Sequence, residues 1–372
     1  MPLRRFISVV ALLALPGLTA NEPAAAMSIR DDLPQSFYED LLATPPLDAS
    51  GRFNGLGSGT LIQPTWVVTA AHTGNTGTFN TLAGSSATLA RIVFPGDPGP
   101  ADALDGYDFA LFALADPITG VSTAELYRGT PAGLDNQVAH YAGGGDTGEG
   151  DSGADGPRRL LAGTNRIDQV GVDVTDNNVS DPVANLVLSD FDDPNAGGGF
   201  NSATPLEMGL AGGDSGGGLF VDAGSGLVLA GVHSAVSKAP DDPFGLYGQF
   251  NLSSAFTPDV LDWIDAVTAH RLGDLDGDGD VDVVDLDRFG TSLLSGGGDL
   301  AGDLDGDGVV DVVDLDLFGT ALLNQGSGNA PLTDSAALDS LRAAVPEPGT
   351  LALVLAGMAA AARRRNRGPG RR

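Results

Sequence analysis

A chain of 372 residues with 49 Asp and Glu against 19 Lys and Arg carries a formal charge of −30 and contains no cysteine. The length allows two or three domains. The charge excludes nucleic acid as a natural partner, and the missing thiols exclude disulfide staples, thiol catalysis and cysteine-ligated zinc.

The chain opens with arginines ahead of an apolar run, PLRRFISVVALLALPGL, then small residues. That order marks residues 1–26 as a secretory signal peptide, cut after Ala26 in Ala24-Ala25-Ala26, with Ala20 as the second choice. From about residue 50 to 268, short apolar runs punctuated by turn residues predict strands. TLIQPTWVVTAAH alternates apolar residues into a short turn and ends at His72. GYDFALFAL places Asp108 at the mouth of a second apolar strand. Gly213-Asp214-Ser215-Gly216-Gly217 is followed by GLFVD and GLVLAGVHS, two strand-like runs separated by a turn. A serine is a weak nucleophile until a base takes its proton, and a histidine needs a carboxylate to hold its tautomer. His72, Asp108 and Ser215 supply the three in that order. A second Gly-Asp-Ser-Gly at Gly150–Gly153 sits in a polar, glycine-rich stretch only 44 residues after Asp108 and reads as a surface loop.

Through these strings the segment 27–270 resembles the trypsin/chymotrypsin family of serine proteases. The resemblance implies a mainly β fold of two double Greek-key barrels acting on polypeptide substrates. It makes His72 the general base, Asp108 its orienting acid and Ser215 the nucleophile, with the N–H groups of Gly213 and Ser215 as oxyanion hole. No cofactor is needed for that chemistry. FNLSSAFTPDVLDWIDAV looks like the family's last strand and closing helix, with Trp263 and Ile264 on its buried side. The substrate pocket implied is Gly209, His233 and Ser234. Gly209 lies six residues before the nucleophile, where an aspartate would select Arg or Lys. Ser234 takes the place of a serine that supports the catalytic acid. His233 falls where glutamyl endopeptidases carry a histidine that binds an acidic side chain, but Leu210 replaces the usual polar companion. A neutral, apolar or small side chain is therefore expected, with an acidic one as the alternative. Ile29 is a candidate new N-terminus for pairing with Asp214, as in family zymogens, although no activation cleavage signal is evident.

Residues 271–325 hold fourteen aspartates and two arginines, organised as an internal repeat with a spacing of 29 residues: Gly273-DLDGDGDVDVVDLDRFG and Gly302-DLDGDGVVDVVDLDLFG. Carboxylates at loop positions 1, 3, 5, 9 and 12 with glycine at 6 are the pattern that wraps a hard cation. Asp274, Asp276, Asp278, Asp282 and Asp285, with the Asp280 carbonyl, are assigned to one calcium ion. Asp303, Asp305, Asp307, Asp311 and Asp314, with the Val309 carbonyl, are assigned to a second. Asp at position 12 and a single helix after each loop resemble paired type I dockerin modules. Positions 10 and 11, which help dockerins choose a cohesin partner, are apolar here: Val283-Val284 and Val312-Val313. The partner is then a cohesin-like protein, another surface protein, or the protease domain itself.

A linker, 326–343, leads to Val345-Pro346-Glu347-Pro348-Gly349, the apolar run TLALVLAGMAAAA and an arginine cluster from Arg363. Residues 344–372 resemble a PEP-CTERM sorting signal: Pro-Glu-Pro, a membrane helix, then cytoplasmic arginines. The implied partner is a sorting machinery that acts near Pro-Glu-Pro, and the implied location is the cell surface or exterior after transient membrane anchoring. The reading is an exported, calcium-bearing serine endopeptidase. Its alternative is an inactive protease-fold scaffold that acts through the dockerin-like module.

Overall fold

Runs such as WVVT and ALFAL are buried at every position, so both of their faces must be covered. The fold does this by closing their sheet and packing other described segments, helix Pro258–Thr268 among them, against the outside. The computed structural model describes residues 27–55, 57–74, 77–95, 103–172, 183–195, 203–269, 272–275, 281–294, 301–304 and 309–324.

A two-residue strand β1 (Ser28–Ile29) and helix α1 (Gln35–Leu42) precede the first half. That half comprises β2 (Ser50–Phe53), β3 (Ser58–Gln63), β4 (Trp66–Thr69), β5 (Thr78–Asn80), β6 (Ser85–Val93) and β7 (Ala110–Leu114). They form a closed barrel in the order β2-β3-β4-β7-β6-β5. Phe53, Phe79 and Phe112 fill it, with Phe53 centred 5.1 Å and 4.9 Å from the other two rings.

The second half begins with β8 (Val138–Gly143), β9 (Asp146–Glu149), β10 (Gly153–Arg158), β11 (Leu161–Arg166) and β12 (Gln169–Val172). It continues through β13 (Val183–Asp190), β14 (Met208–Gly209), β15 (Gly218–Asp222), β16 (Leu227–Ser237) and β17 (Phe250–Ala255). Among the described residues the backbone ladders of this half do not close a second barrel, contrary to expectation. They give a seven-stranded sheet, β11-β8-β15-β16-β17-β13-β12, and a four-stranded one, β10-β9-β1-β14. The reason lies at β13, whose outer edge from Val183 to Leu188 is already paired with β12. Strand β11 reaches across with a side chain instead: the buried Asn165 amide donates to the Asp190 carbonyl at 2.7 Å and the Met208 carbonyl at 3.0 Å.

Helix α2 (Pro258–Thr268) closes the chain over the barrel as expected. It is capped by Thr257, with Val260, Leu261 and Ile264 buried and Trp263 edge-on to Phe94. Two more helices follow the acidic loops, α3 (Val283–Leu294) and α4 (Val312–Asn324). Phe289 and Phe318 stack between them at 5.2 Å, and Leu272 and Leu317 also pack against the barrel core. Among the described residues no helix is long and apolar enough to cross a membrane. The membrane helix expected within 344–372 and the linker 326–343 lie outside the described residues.

Candidate active site

His72 lies in the short turn after β4, and Asp108 stands two residues before β7. Because β4 and β7 pair with Thr69 opposite Ala110, the two side chains arrive at the same end of the barrel. Asp108, 2% exposed, directs both carboxylate oxygens at His72. Oδ1 accepts the backbone N–H at 2.8 Å and Oδ2 meets the ring Nδ1 at 2.6 Å. With the proton on Nδ1, the ring is held in the tautomer that leaves Nε2 as an acceptor. Arg91 on β6 donates to the Ala71 carbonyl and ties down the same turn.

Ser215 sits on the loop between β14 and β15. A Cβ on Gly216, whose φ is 83°, would stand 2.0 Å from Thr69 Oγ1 and 2.8 Å from the Ala70 nitrogen. Only glycine lets this loop settle onto the strand end that carries His72. From the other side a Cβ on Gly57 would meet Thr73 and, at 3.3 Å, the Ser215 carbonyl. Residues flanking His72 on both sides thus border the residues flanking Ser215.

Ser58 locks the loop. Its N–H donates to the Ser215 carbonyl, its hydroxyl donates to the Gly213 carbonyl, and the same oxygen accepts Gly144 N–H, each at 2.8 Å. The N–H groups of Asp214, Gly216 and Gly217 bond the carbonyls of Ala211, His233 and Asp214. Among the described residues the N–H groups of Gly213 and Ser215 have no such partner. Two bare N–H groups beside a serine hydroxyl are suited to a developing oxyanion. Sequence reasoning missed Ser58 and Arg91. The first has a weak signal, the Gly-Ser-Gly run ahead of an apolar strand; the second has none, because its contact depends on strand register. Ser152 of the second Gly-Asp-Ser-Gly string is exposed in the turn between β9 and β10.

The expected pocket residues are all largely buried. A Cβ on Gly209 would come 2.6 Å from the Phe191 ring, so glycine there serves aromatic packing. His233 is 1% exposed, its Nδ1 is 3.0 Å from Ser253 Oγ, and its ring packs 4.7 Å from Tyr141. Burial pushes its imidazole down to about 3, against a smaller opposing effect of the Gly218 backbone. The Ser234 hydroxyl does not support Asp108 as expected. It pairs with Ser254 Oγ at 3.0 Å, since the β16–β17 register shifts between His233 and Ala235 and turns Ser234 toward the neighbouring strand.

Asp214 is fully buried and accepts N–H from Ala211 at 3.0 Å and Gly145 at 3.2 Å. Desolvation holds its carboxyl well above the usual range, and among the described residues it makes no ion pair. Ile29 is not the residue placed to meet it, because it lies inside β1 between Met208 and Glu149. Met27 is. Its side chain is fully buried, and its methyl and Asp214 Oδ1 crowd the same space over Gly143.

In the acidic repeats, Asp285 and Asp314 are wholly buried. Asp285 accepts N–H from Leu275 at 2.6 Å and Asp282 at 2.8 Å; Asp314 accepts from Leu304 at 2.7 Å and Asp311 at 2.8 Å. Asp282 and Asp311 in turn accept N–H from Val284 and Val313 at the helix starts. No group of three or more acidic or histidine side chains among the described residues is gathered to hold a metal. Asp276, Asp278, Asp280, Asp305 and Asp307 lie outside the described residues.

Residues 344–366 match the PEP-CTERM protein-sorting motif. No curated protein matches the chain in sequence. Among solved structures it is similar to a Glu endopeptidase in complex with MPD, at 15% identity and a TM-score of 0.42, over 66% of this chain and 98% of that one. It is also similar to a kallikrein-related peptidase 10 complex with zinc, at 19% identity and a TM-score of 0.39, over 59% of this chain and 93% of that one.

Proposed function

We propose that this chain is an exported serine endopeptidase working through His72, Asp108 and Ser215. The observation that carries the reading is the double grip of Asp108 on His72, joined to a serine loop whose Gly213 and Ser215 N–H groups are bare. In this reading His72 Nε2 takes the Ser215 proton as Oγ attacks a peptide carbonyl. Asp108 stabilises the imidazolium that forms, and the two N–H groups receive the oxyanion. His72 then returns the proton to the leaving amine, and water repeats the sequence on the acyl-enzyme.

The side chain taken on the acyl side is neutral and small or apolar. Phe191 backs Gly209, and a histidine held down to about 3 offers no positive charge to a carboxylate at neutral pH. The sorting motif at 344–366 supports export to the cell surface. The paired acidic loops fit two calcium ions in donor chemistry, with only oxygen donors and a glycine at the sixth position of each loop. The residues that would hold them are those named from the sequence. The bound ions would supply the positive charge that lets the carboxylates converge.

Labelling with a fluorophosphonate tests nucleophile activation without a known substrate. Ser215→Ala should abolish labelling and His72→Ala should nearly do so, with a turnover loss of about four to six orders of magnitude. Ser152→Ala should label like the parent. Labelling that survived Ser215→Ala but vanished in Ser152→Ala would overturn the assignment.

A further inference from the structure

Residues 27–269 contain only eight Arg and Lys in a strongly acidic chain, and three of them line one concavity. Arg52, Arg158 and Arg159 share a space of about 450 Å³ with Leu82, Leu160 and a single acid, Glu39. The three arginines are engaged to different degrees. Arg158 Nε lies 3.4 Å from Asp146 and its NH1 donates to the Gly55 carbonyl at 2.5 Å, while Arg159 reaches Glu39 at 3.5 Å across exposed surface. The Arg52 carbonyl accepts the Asn80 amide at 3.3 Å, while its guanidinium has no hydrogen-bond or ion-pair partner among the described residues. Leu82, 53% exposed, leaves an apolar rim beside the guanidinium groups.

The concavity adjoins the serine loop through a short chain of contacts. Arg52 and Leu160 flank Gly144, where an added Cβ would meet them at 2.6 Å and 2.9 Å. Gly144 N–H is bonded to Ser58 Oγ, which is bonded to the Gly213 carbonyl. None of the lining residues belongs to β14 or β16, the strands that carry the acyl-side pocket residues Gly209, His233 and Ser234. The Ser215 carbonyl accepts Ser58 N–H at the start of β3, so a peptide half that leaves Ser215 on that side runs toward the arginines.

We propose that this concavity is a subsite for acidic residues of the substrate on the carboxyl side of the scissile bond. Two hydrogen bonds and one side chain separate Gly213 from Arg52, and an extended peptide advances about 3.3 Å per residue. The carboxylates recognised are then about the second to fourth residues past the cleaved bond. Planar guanidinium groups suit carboxylate recognition, and partly exposed pairs give modest selectivity that salt should screen.

The inference rests on the peptidase reading, so its test has one arm with catalysis and one without. Three internally quenched peptides would share an apolar acyl half and carry three Asp, three Ala or three Lys on the leaving side. The full chain should cleave the Asp peptide about five- to tenfold more efficiently in kcat/KM than the Ala peptide, and the Lys peptide least, as expected of two or three partly exposed ion pairs. Raising the salt should shrink the ratio. Arg52→Gln and Arg159→Gln should each bring the Asp-to-Ala ratio toward unity. Arg128→Gln, on an exposed pair with Asp265, should keep the parent ratio. In the second arm the Ser215→Ala protein, which cannot turn over, should bind the Asp peptide more tightly than the Ala peptide by fluorescence anisotropy, and lose that difference with Arg52→Gln. Equal kcat/KM for the Asp and Ala peptides in a protein that labels with fluorophosphonate overturns the subsite alone. A ratio that persists in the Arg52→Gln, Arg159→Gln double variant does the same. Absence of labelling and cleavage overturns the peptidase reading, and the binding arm then decides the concavity by itself.

Discussion

Glu207 stands just before strand β14, 1% exposed, with the N–H and hydroxyl of Thr204 donating to one of its oxygens. Burial pushes its carboxyl up to about 8 from an ordinary 4.5, and the Thr204 hydrogen bonds offset only part of that. The folded state therefore keeps a proton that the unfolded chain releases above pH 4.5. Stability from this group is fully present below that pH and is lost as pH rises toward 8, by on the order of a few kcal/mol. Asp192, raised to about 6 by burial and by Asp190, slopes the same way. Glu207→Gln keeps an acceptor for Thr204 and removes the titration. Chemical denaturation at pH 5 and pH 8 should show the parent losing stability between the two and the variant losing clearly less. Equal losses would mean that Glu207 is already ionised in the fold.

At the scale of elements, β1 links the front of the chain to the serine loop. It pairs with β14 on one side and β9 on the other, and this brings Met27 next to the buried Asp214. Cleavage of the leader after Ala26 would leave an α-amino group on Met27. The Met27 methyl already lies beside Asp214, and an α-amino group that reached the same carboxyl would recover part of the cost of burying it. Protein beginning at Met27 should thus melt higher and label faster with fluorophosphonate than protein carrying two extra residues ahead of Met27. Identical melting and labelling would sink the pairing. This is also where sequence reading met its limit. The strands around His72, Asp108 and Ser215 were legible because apolar runs and turn glycines are local signals, and so was the closing helix that carries Trp263 and Ile264. Which residue would meet Asp214 was not, because register decides it: Ile29 suits a family pattern, but pairing with Met208 and Glu149 fixes Ile29 within the strand. The failure of the second barrel to close by backbone pairing was equally hidden, since it depends on β12 occupying an edge that β11 would otherwise use.

For the whole molecule the question is how a chain without disulfides stays folded outside the cell with so much like charge. The barrel and the acidic repeats share a seam: Leu272, Val281 and Ala321 border Thr65, Trp66 and Leu114 around a small gap, and Leu317 packs on the barrel core. Helix α4 and the flanks of the first acidic repeat therefore touch the domain that carries His72 and Asp108. In the proposed reading, the fourteen aspartates of residues 271–325 would repel one another until divalent cations sat among them. Binding to the folded chain alone then adds stability by mass action, about 2.7 kcal/mol at a hundredfold excess over the dissociation constant. Calorimetric titration of the full chain with calcium should count two ions, and a chelator should lower the melting temperature. Asp285→Asn and Asp314→Asn should each remove one ion and leave the other loop able to bind. Because the proposed triad of His72, Asp108 and Ser215 has its own support in Ser58, Arg91 and the β4–β7 pairing, small-substrate turnover at low temperature should survive chelation even as thermal resistance falls. A melting temperature unmoved by calcium, or a titration that counts no ion, would leave the repeats as an acidic surface and place the stability of the exported chain in the barrel alone.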